Sequence, residues 1–123
     1  MATPEAGVNS ILLNIKKMIG FDQEYTYFDR DLIININSCF ATLRDLGVGP
    51  DQGFQINDKD DIWQDYGVSE PYLSMVKQYV YIKTKLVFDR PETSYAIQAM
   101  QSHASELEWR LHSESEYTRD AKD

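Results

Sequence analysis

Four stretches of this 123-residue chain carry apolar residues at the three- and four-residue spacing of an amphipathic helix. A residue that commonly ends a helix follows each of the first three, namely Gly20, Gly47 and the Arg90-Pro91 pair. Although Ile33, Ile34 and Ile36 favour a strand by residue type, their stretch is too long and its period is helical. The pattern predicts an all-α domain, a bundle of four main helices. The predicted helices cover Val8 to Ile19, Phe28 to Leu46, Tyr72 to Val87, and a fourth from Thr93 or Ser94 through Leu111.

Polar residues that accept hydrogen bonds from backbone N–H groups stand near the start of each predicted helix. Asn9 or Ser10 suits the first helix, with Thr3 before Pro4 as an earlier alternative. Thr26 with Asp29 resembles a capping box for the second helix. The third helix is expected to open at Ser69 with Pro71.

A long irregular central loop is predicted between the second and third helices, over residues 47–68. It begins with glycines and Pro50 and is rich in aspartate, with one turn of helix possible around Trp63. Phe54 and Ile56 alternate with polar neighbours, as in a short extended segment. Because the loop is long, glycine-containing and acidic, we expect it to bury little of itself and to adjust between free and assembled states.

The length fits one domain, residues 1–123, in which residues 113–123 are expected to form a flexible polar tail. A single cysteine excludes an intrachain disulfide framework. The net charge of −8 argues against binding to nucleic acid by electrostatic attraction and against an anionic membrane surface. No stretch is apolar for long enough to span a bilayer, and residues 1–9 do not resemble a secretory signal.

Residues that could perform catalysis or bind a metal are few. His103 and His112 do not share a helix face, and Glu108 with His112 makes only two potential ligands. The acidic loop lacks the glycine and the final glutamate of a calcium-binding loop. Cys39 falls within an apolar stripe, where a buried, unreactive thiol is expected. The sequence therefore predicts no catalytic, cofactor-binding or metal-binding residue and no enzyme; a small metal enzyme using Glu108, His112 and the acidic loop is a weaker alternative.

Two helical positions indicate contact with another protein. Lys83 lies in the middle of an apolar arc on the third predicted helix, where it either extends to water or marks a seam between two contact surfaces. Trp109 projects about 160° from the centre of the apolar stripe on the fourth helix, with Tyr95 beside it. Tryptophan and tyrosine are enriched at protein interfaces. The full set of interface candidates is Trp109, Tyr95, Lys83, Tyr79, Tyr81, Trp63 and Phe54.

Four segments in order resemble the head-tail connector proteins of tailed bacteriophages. They are ILLNIKKMIG (11–20), LGVGPDQG (46–53) with Phe54, Ile56 and Trp63, YVYIKTKLVFDRP (79–91), and ELEWRL (106–111). The resemblance covers about residues 10–112 and depends on the order and spacing of the segments, since connectors have no catalytic signature. Arg90 stands where close relatives are expected to have a second proline in the turn.

The resemblance implies a structural adaptor without cofactor that forms a ring beneath the portal protein and joins the capsid to tail-side head-completion proteins. It also implies location in the virion, with assembly in the host cytoplasm. An acidic ring would let DNA pass through without adhering. The alternative function is that of a cytosolic helical adaptor or regulator, in which Trp109 and Tyr95 anchor one partner helix.

Overall fold

The structure is a computed structural model, which describes the backbone of residues 9–122 and the side chains of residues 9–116. The described part of the chain is helical and contains no strand, which confirms the all-α prediction. Four main helices surround the core, and the residues between the second and third of these include one short helical turn. In chain order the helices are α1 (Ile11–Met18), α2 (Asp29–Asp45), α3 (Trp63–Tyr66), α4 (Tyr72–Phe88) and α5 (Ser94–Lys122). None of these described helices combines the length and the apolar character needed to cross a membrane.

Helix α1 begins where its polar cap predicted. The Ser10 hydroxyl accepts a hydrogen bond from the backbone N–H of Leu13 at 3.2 Å. Gly20 follows the helix with φ of 85°, a conformation that favours glycine. The earlier cap at Thr3 and the predicted helical residue Val8 lie outside the described residues.

The capping box predicted at the start of α2 is wrong. Phe28 occupies the N-cap position without a side-chain hydrogen bond, and Thr26 contributes only its carbonyl, which accepts from the Asp29 N–H. The carboxylate of Asp29 instead accepts a hydrogen bond from Lys16 of α1 at 2.8 Å. The demand of a buried ammonium for an anionic partner therefore takes precedence over local capping.

Helix α4 lies at the centre of the fold and packs against α1, α2 and α5. This explains why its apolar arc is broader than one neighbouring helix requires. Tyr79 and Val80 are fully buried, and Thr84, also buried, accepts a hydrogen bond from the Asn35 amide of α2 at 2.9 Å. The bond satisfies both polar groups within the interface between the two helices.

The central loop is more buried than its composition suggests. Ile56, Trp63 and Tyr66 belong to the core, and the helical turn predicted around Trp63 is α3. The Asn37 amide of α2 donates to the carbonyl of Ile56 at 3.0 Å and accepts from its N–H at 2.8 Å. The expectation that the loop buries little of itself is therefore wrong. Its adjustment on assembly remains a prediction.

Gly49 lets the loop pass closely over the Tyr66 ring. Its φ is 88°, and a Cβ built at this position would lie 2.7 Å from Cε1 of Tyr66. Both the backbone conformation and the space therefore require glycine here. The Tyr66 hydroxyl is buried without a hydrogen-bond partner in the described structure, and burial raises its pKa.

Helix α5 continues to Lys122, through the residues expected to form a flexible polar tail. Its side chains also reach back to the rest of the fold. The ring of His112 lies 3.1 Å from the Leu46 carbonyl, Ser115 donates to the Gly47 carbonyl at 2.9 Å, and Glu114 accepts from the Tyr72 hydroxyl at 2.9 Å. These contacts hold residues 112–115 against the end of α2 and the start of α4, and the flexibility expected of residues 113–123 remains a prediction.

Candidate interaction surfaces

The outer face of α5 exposes large aromatic side chains to solvent. Tyr95 is 83% exposed and Trp109 is 69% exposed, which confirms that Trp109 faces away from the core. The segment between Glu92 and Glu106 contains no Asp, Glu, Lys or Arg, although such residues make up 26% of the chain. The part of this face that carries Tyr95 is therefore free of such charges for more than three helical turns, whereas Trp109 lies beyond it, close to the exposed Glu106 and Arg110. An uncharged centre with charged residues at its edge is typical of a protein interface.

The inner face of α5 fixes the position of this surface. Ala104, Leu107 and Leu111 are buried at the spacing predicted for the core stripe. One polar contact helps to set the orientation of α5 about its own axis: the Tyr79 hydroxyl of α4 donates to the Glu108 carboxylate at 2.7 Å. Burial, and then this bond to a carboxylate, raise the pKa of Tyr79. The phenol therefore stays protonated and keeps α5 anchored with Trp109 outward.

Two of the predicted interface residues lie inside the chain. Trp63 is 2% exposed and Tyr79 is fully buried, so neither side chain offers a surface to a partner in this structure. Trp63 is held from both sides, because its indole N–H donates to Asn14 at 3.0 Å and the ammonium of Lys77 lies 5.5 Å from its ring centre. Apolar area and hydrogen bonding within the chain account for both residues.

The other interface candidates differ in how much of their side chains is exposed. Phe54 and Tyr81 are half-buried and pack against the core, while Lys83 is exposed. Lys83 therefore reaches water from the middle of the arc, with Val87 one turn later 64% exposed. Two other lysines of α4 have partners within the chain, since Lys77 covers Trp63 and Lys85 forms an ion pair with Asp89 at 2.7 Å.

A second aromatic surface, which the sequence did not indicate, lies in the turn between α1 and α2. Tyr25 is 52% exposed and Tyr27 is 75% exposed, and their rings stack with centres 6.2 Å apart. Beneath them, Phe28 contacts Tyr27 edge to face at 4.9 Å and also contacts Phe88 of α4. We call residues 21–28 with these rings the aromatic turn.

The aromatic turn is built around Lys16, whose side chain is fully buried. Its ammonium donates to the backbone carbonyl of Gln23 at 3.0 Å, to that of Tyr25 at 2.7 Å, and to Asp29 at 2.8 Å. Three donors therefore meet three acceptors, which satisfies a buried cation. A pattern of apolar residues gives no signal for such a site, because Lys16 reads from the sequence as a polar position of an amphipathic helix.

The residues considered for chemistry have structural partners. Asp61 accepts hydrogen bonds from the backbone N–H groups of Asn57 and Asp58, which shapes the acidic loop. Among the described residues no group of three or more His, Cys, Asp or Glu side chains could hold a metal ion. Cys39 is 4% exposed, as predicted, and burial raises the pKa of its thiol to about 12.

The surface of the molecule carries open depressions. One, of about 400 Å³, lies between α2 and the loop and is lined by residues that include Asn37, Arg44 and Phe54. Another lies on α5 between Tyr95 and Trp109 and is lined by Gln98, Gln101, Ser102 and Ser105. An extended face with exposed aromatic side chains suits contact with another protein more than enclosure of a small molecule.

Most of the chain is similar to one family of known proteins. A family model described as "Phage connector protein" matches residues 11–118, from the first residue of α1 into the last turns of α5. No significant match was found among curated proteins or among solved structures. With its helical fold and exposed aromatic faces, the chain belongs to the phage connector protein family.

Proposed function

We propose that this chain forms a ring beneath the portal of a tailed phage, where it joins the capsid to the tail-side proteins and surrounds the path of the DNA. Its family is one of structural phage proteins, and a connector-type role follows from membership. The outer face of α5, with Tyr95 and Trp109 exposed and no charge between Glu92 and Glu106, is the observation that supports assembly. Exposed aromatic side chains release ordered water when a second protein covers them.

The charge of the chain fits a channel for DNA. With a net charge of −8 per copy, a ring would place many negative charges around the duplex. Proteins that hold DNA use lysine and arginine to displace counterions, whereas an acidic ring repels phosphate and lets the duplex slide. We therefore expect no sequence-specific contact with DNA.

The test compares Trp109→Ala with a matched control, Ile34→Ala on α2. Both variants remove an exposed apolar side chain, since Ile34 is 62% exposed, but only Trp109 lies on the α5 face. Electron microscopy and sedimentation should show closed rings for the wild type and for Ile34→Ala, and a large loss of rings for Trp109→Ala. In phage particles, the Trp109 variant should leave DNA-filled heads without tails.

Two results would contradict the proposal. Rings formed equally well by Trp109→Ala would exclude its indole from the subunit interface. A wild-type chain that stays monomeric or dimeric both alone and with portal protein would favour the adaptor that binds a single partner helix.

A further inference from the structure

A closed ring of more than two copies needs two different surfaces on each chain, one for each neighbour. We propose that the aromatic turn of one copy, through Tyr25 and Tyr27, receives the outer face of α5 of the next copy around Trp109. This inference rests on the proposed ring and identifies the pair of surfaces that would close it. The partner on the aromatic turn is therefore a second copy of this chain.

The two surfaces lie on opposite sides of α4. Phe88 contacts Phe21 and Phe28 of the aromatic turn, whereas the Tyr79 hydroxyl contacts Glu108 of α5. Phe88 and Tyr79 are nine residues apart, and at about 100° per residue this separation is two and a half helical turns. Their side chains therefore leave α4 in opposite directions. A copy that contacts one neighbour through α5 still presents its aromatic turn to the other neighbour.

The aromatic turn is organised before any partner arrives. Lys16 fixes the backbone carbonyls of Gln23 and Tyr25, and Phe28 packs under the Tyr27 ring. A rigid aromatic surface loses little conformational freedom on binding, so more of the contact energy appears as affinity. Besides joining α1 to Asp29 of α2, the buried lysine holds the backbone that carries the exposed Tyr25.

Charged side chains of both signs flank the two surfaces, so that opposite charges can be paired between them. Asp22, Glu24 and Asp31 lie exposed on or beside the aromatic turn, with one exposed cation, Arg30, among them. On α5, Glu106 is exposed one turn before Trp109, and Arg110 is exposed directly after it and forms no ion pair within the part of the chain whose side chains are described. An arginine beside an aromatic anchor on one surface, and carboxylates beside tyrosines on the other, set the orientation of the contact.

Two variants that each lack one surface provide the test. The double variant Tyr25→Ala/Tyr27→Ala loses the turn but keeps α5, and Trp109→Ala loses α5 but keeps the turn. Each alone should sediment as a monomer with a wild-type melting temperature, since all three side chains are at least half exposed. Mixed together, they should form 1:1 heterodimers by native mass spectrometry and no ring, because only one pair of intact surfaces exists.

Charge reversal gives a second, independent measurement. Arg110→Glu should raise the protein concentration required for ring formation at least tenfold. Adding Glu24→Arg to the same chain should reverse most of that rise. Reversal of Lys59, which is exposed in the central loop, is the matched control and should leave rings unchanged.

The outcomes separate this inference from the ring itself. If wild-type rings form but the tyrosine variant also forms rings, the turn is not the second surface and the inference is overturned. If the tyrosine variant alone forms symmetric dimers, α5 contacts α5 and the head-to-tail pairing is overturned. If the mixture stays monomeric and Glu24→Arg restores nothing, the pairing is also overturned. A wild-type chain that forms no ring, alone or with portal protein, overturns the proposed function instead.

Discussion

The two tryptophans of this chain lie in opposite environments. Trp63, in the irregular central loop, is 2% exposed and makes a hydrogen bond to Asn14, whereas Trp109, in the middle of a long regular helix, is 69% exposed. The loop tryptophan therefore stabilises the fold, and the helical one is available to a partner. Most of the core comes from the four main helices, but the difference teaches that a position in or outside a main helix does not by itself decide burial. The fold buries an irregular segment and leaves one face of its longest helix uncovered.

Trp63→Ala should have the largest effect on the free energy of unfolding. It removes a buried ring that packs near Phe40 and lies under the Lys77 ammonium. We expect a loss of about 3–5 kcal/mol, measured by denaturant unfolding. Trp63→Phe is the control, since it keeps much of the apolar area and loses mainly the bond to Asn14. A loss below about 1 kcal/mol for the alanine variant would place this side chain outside the core.

Alanine substitutions at Gly49 and Gly67 should distinguish the energetic cost of backbone strain from that of a steric clash. Gly49 and Gly67 both have positive φ, but an added Cβ meets the Tyr66 ring only at Gly49 and finds open space at Gly67. Gly67→Ala should cost about 1–2 kcal/mol from backbone strain alone. Gly49→Ala should cost clearly more, because the ring must also move. Equal losses in thermal unfolding would show that the loop yields easily around Tyr66.

Alkaline pH should weaken the interior of the fold. Burial raises the pKa of the Cys39 thiol from 9.0 to about 12, so above pH 9 the unfolded chain loses this proton while the folded chain keeps it. Stability should therefore fall as pH rises between 9 and 12, by up to about 1.4 kcal/mol per pH unit. Unfolding from pH 8 to 10 should show a shallower fall in Cys39→Ala.

The contribution of Cys39 to the pH dependence is best measured below pH 10. Tyr66 and Tyr79, whose pKa values are also raised by burial, act in the same direction mainly above their ordinary value of 10. Rapid reaction of the native thiol with a labelling reagent near neutral pH would contradict the burial on which this prediction depends.

Trp109→Ala should have the smallest effect on the stability of the isolated chain. Since the ring is mostly outside the core, the expected change is within about 0.5 kcal/mol, or a degree or two in melting temperature. Unfolding of the isolated variant near room temperature would mean that the indole supports the fold. If the proposed ring forms through this side chain, its loss should appear in ring formation instead, once for every subunit contact.

The sequence predicted the parts of the molecule that follow a period. Apolar residues at helical spacing gave the four main helices, and the same projection placed Trp109 on the outside. The positions of Trp63 and Tyr79 were harder to predict. Trp63 lies where no period exists, and Tyr79 lies in an arc too broad to assign to one surface. Whether each side chain faces inward depends on the helix that packs against it. For Trp63 this is α1 with Asn14, and for Tyr79 it is α5 with Glu108.

The aromatic turn was missed for a related reason. Lys16 is a polar residue in an amphipathic pattern, and its acceptors are two carbonyls and a carboxylate that come together only in the folded chain. Likewise, residues 112–115 are polar in composition but are held by the Leu46 and Gly47 carbonyls at the end of α2. The composition of a segment indicates how soluble it is, but it does not indicate which distant residues the segment contacts in the folded chain.

Asn37 of α2 occupies the backbone hydrogen-bonding groups of one residue in the central loop. Its amide meets the N–H and the carbonyl of Ile56 as the backbone of an adjacent strand would, so neither group is left to bond to another molecule. Open edges of extended chain invite pairing between molecules and lead to aggregation. Where copies of the chain meet, we expect this side chain to keep the Ile56 backbone from pairing with a neighbour.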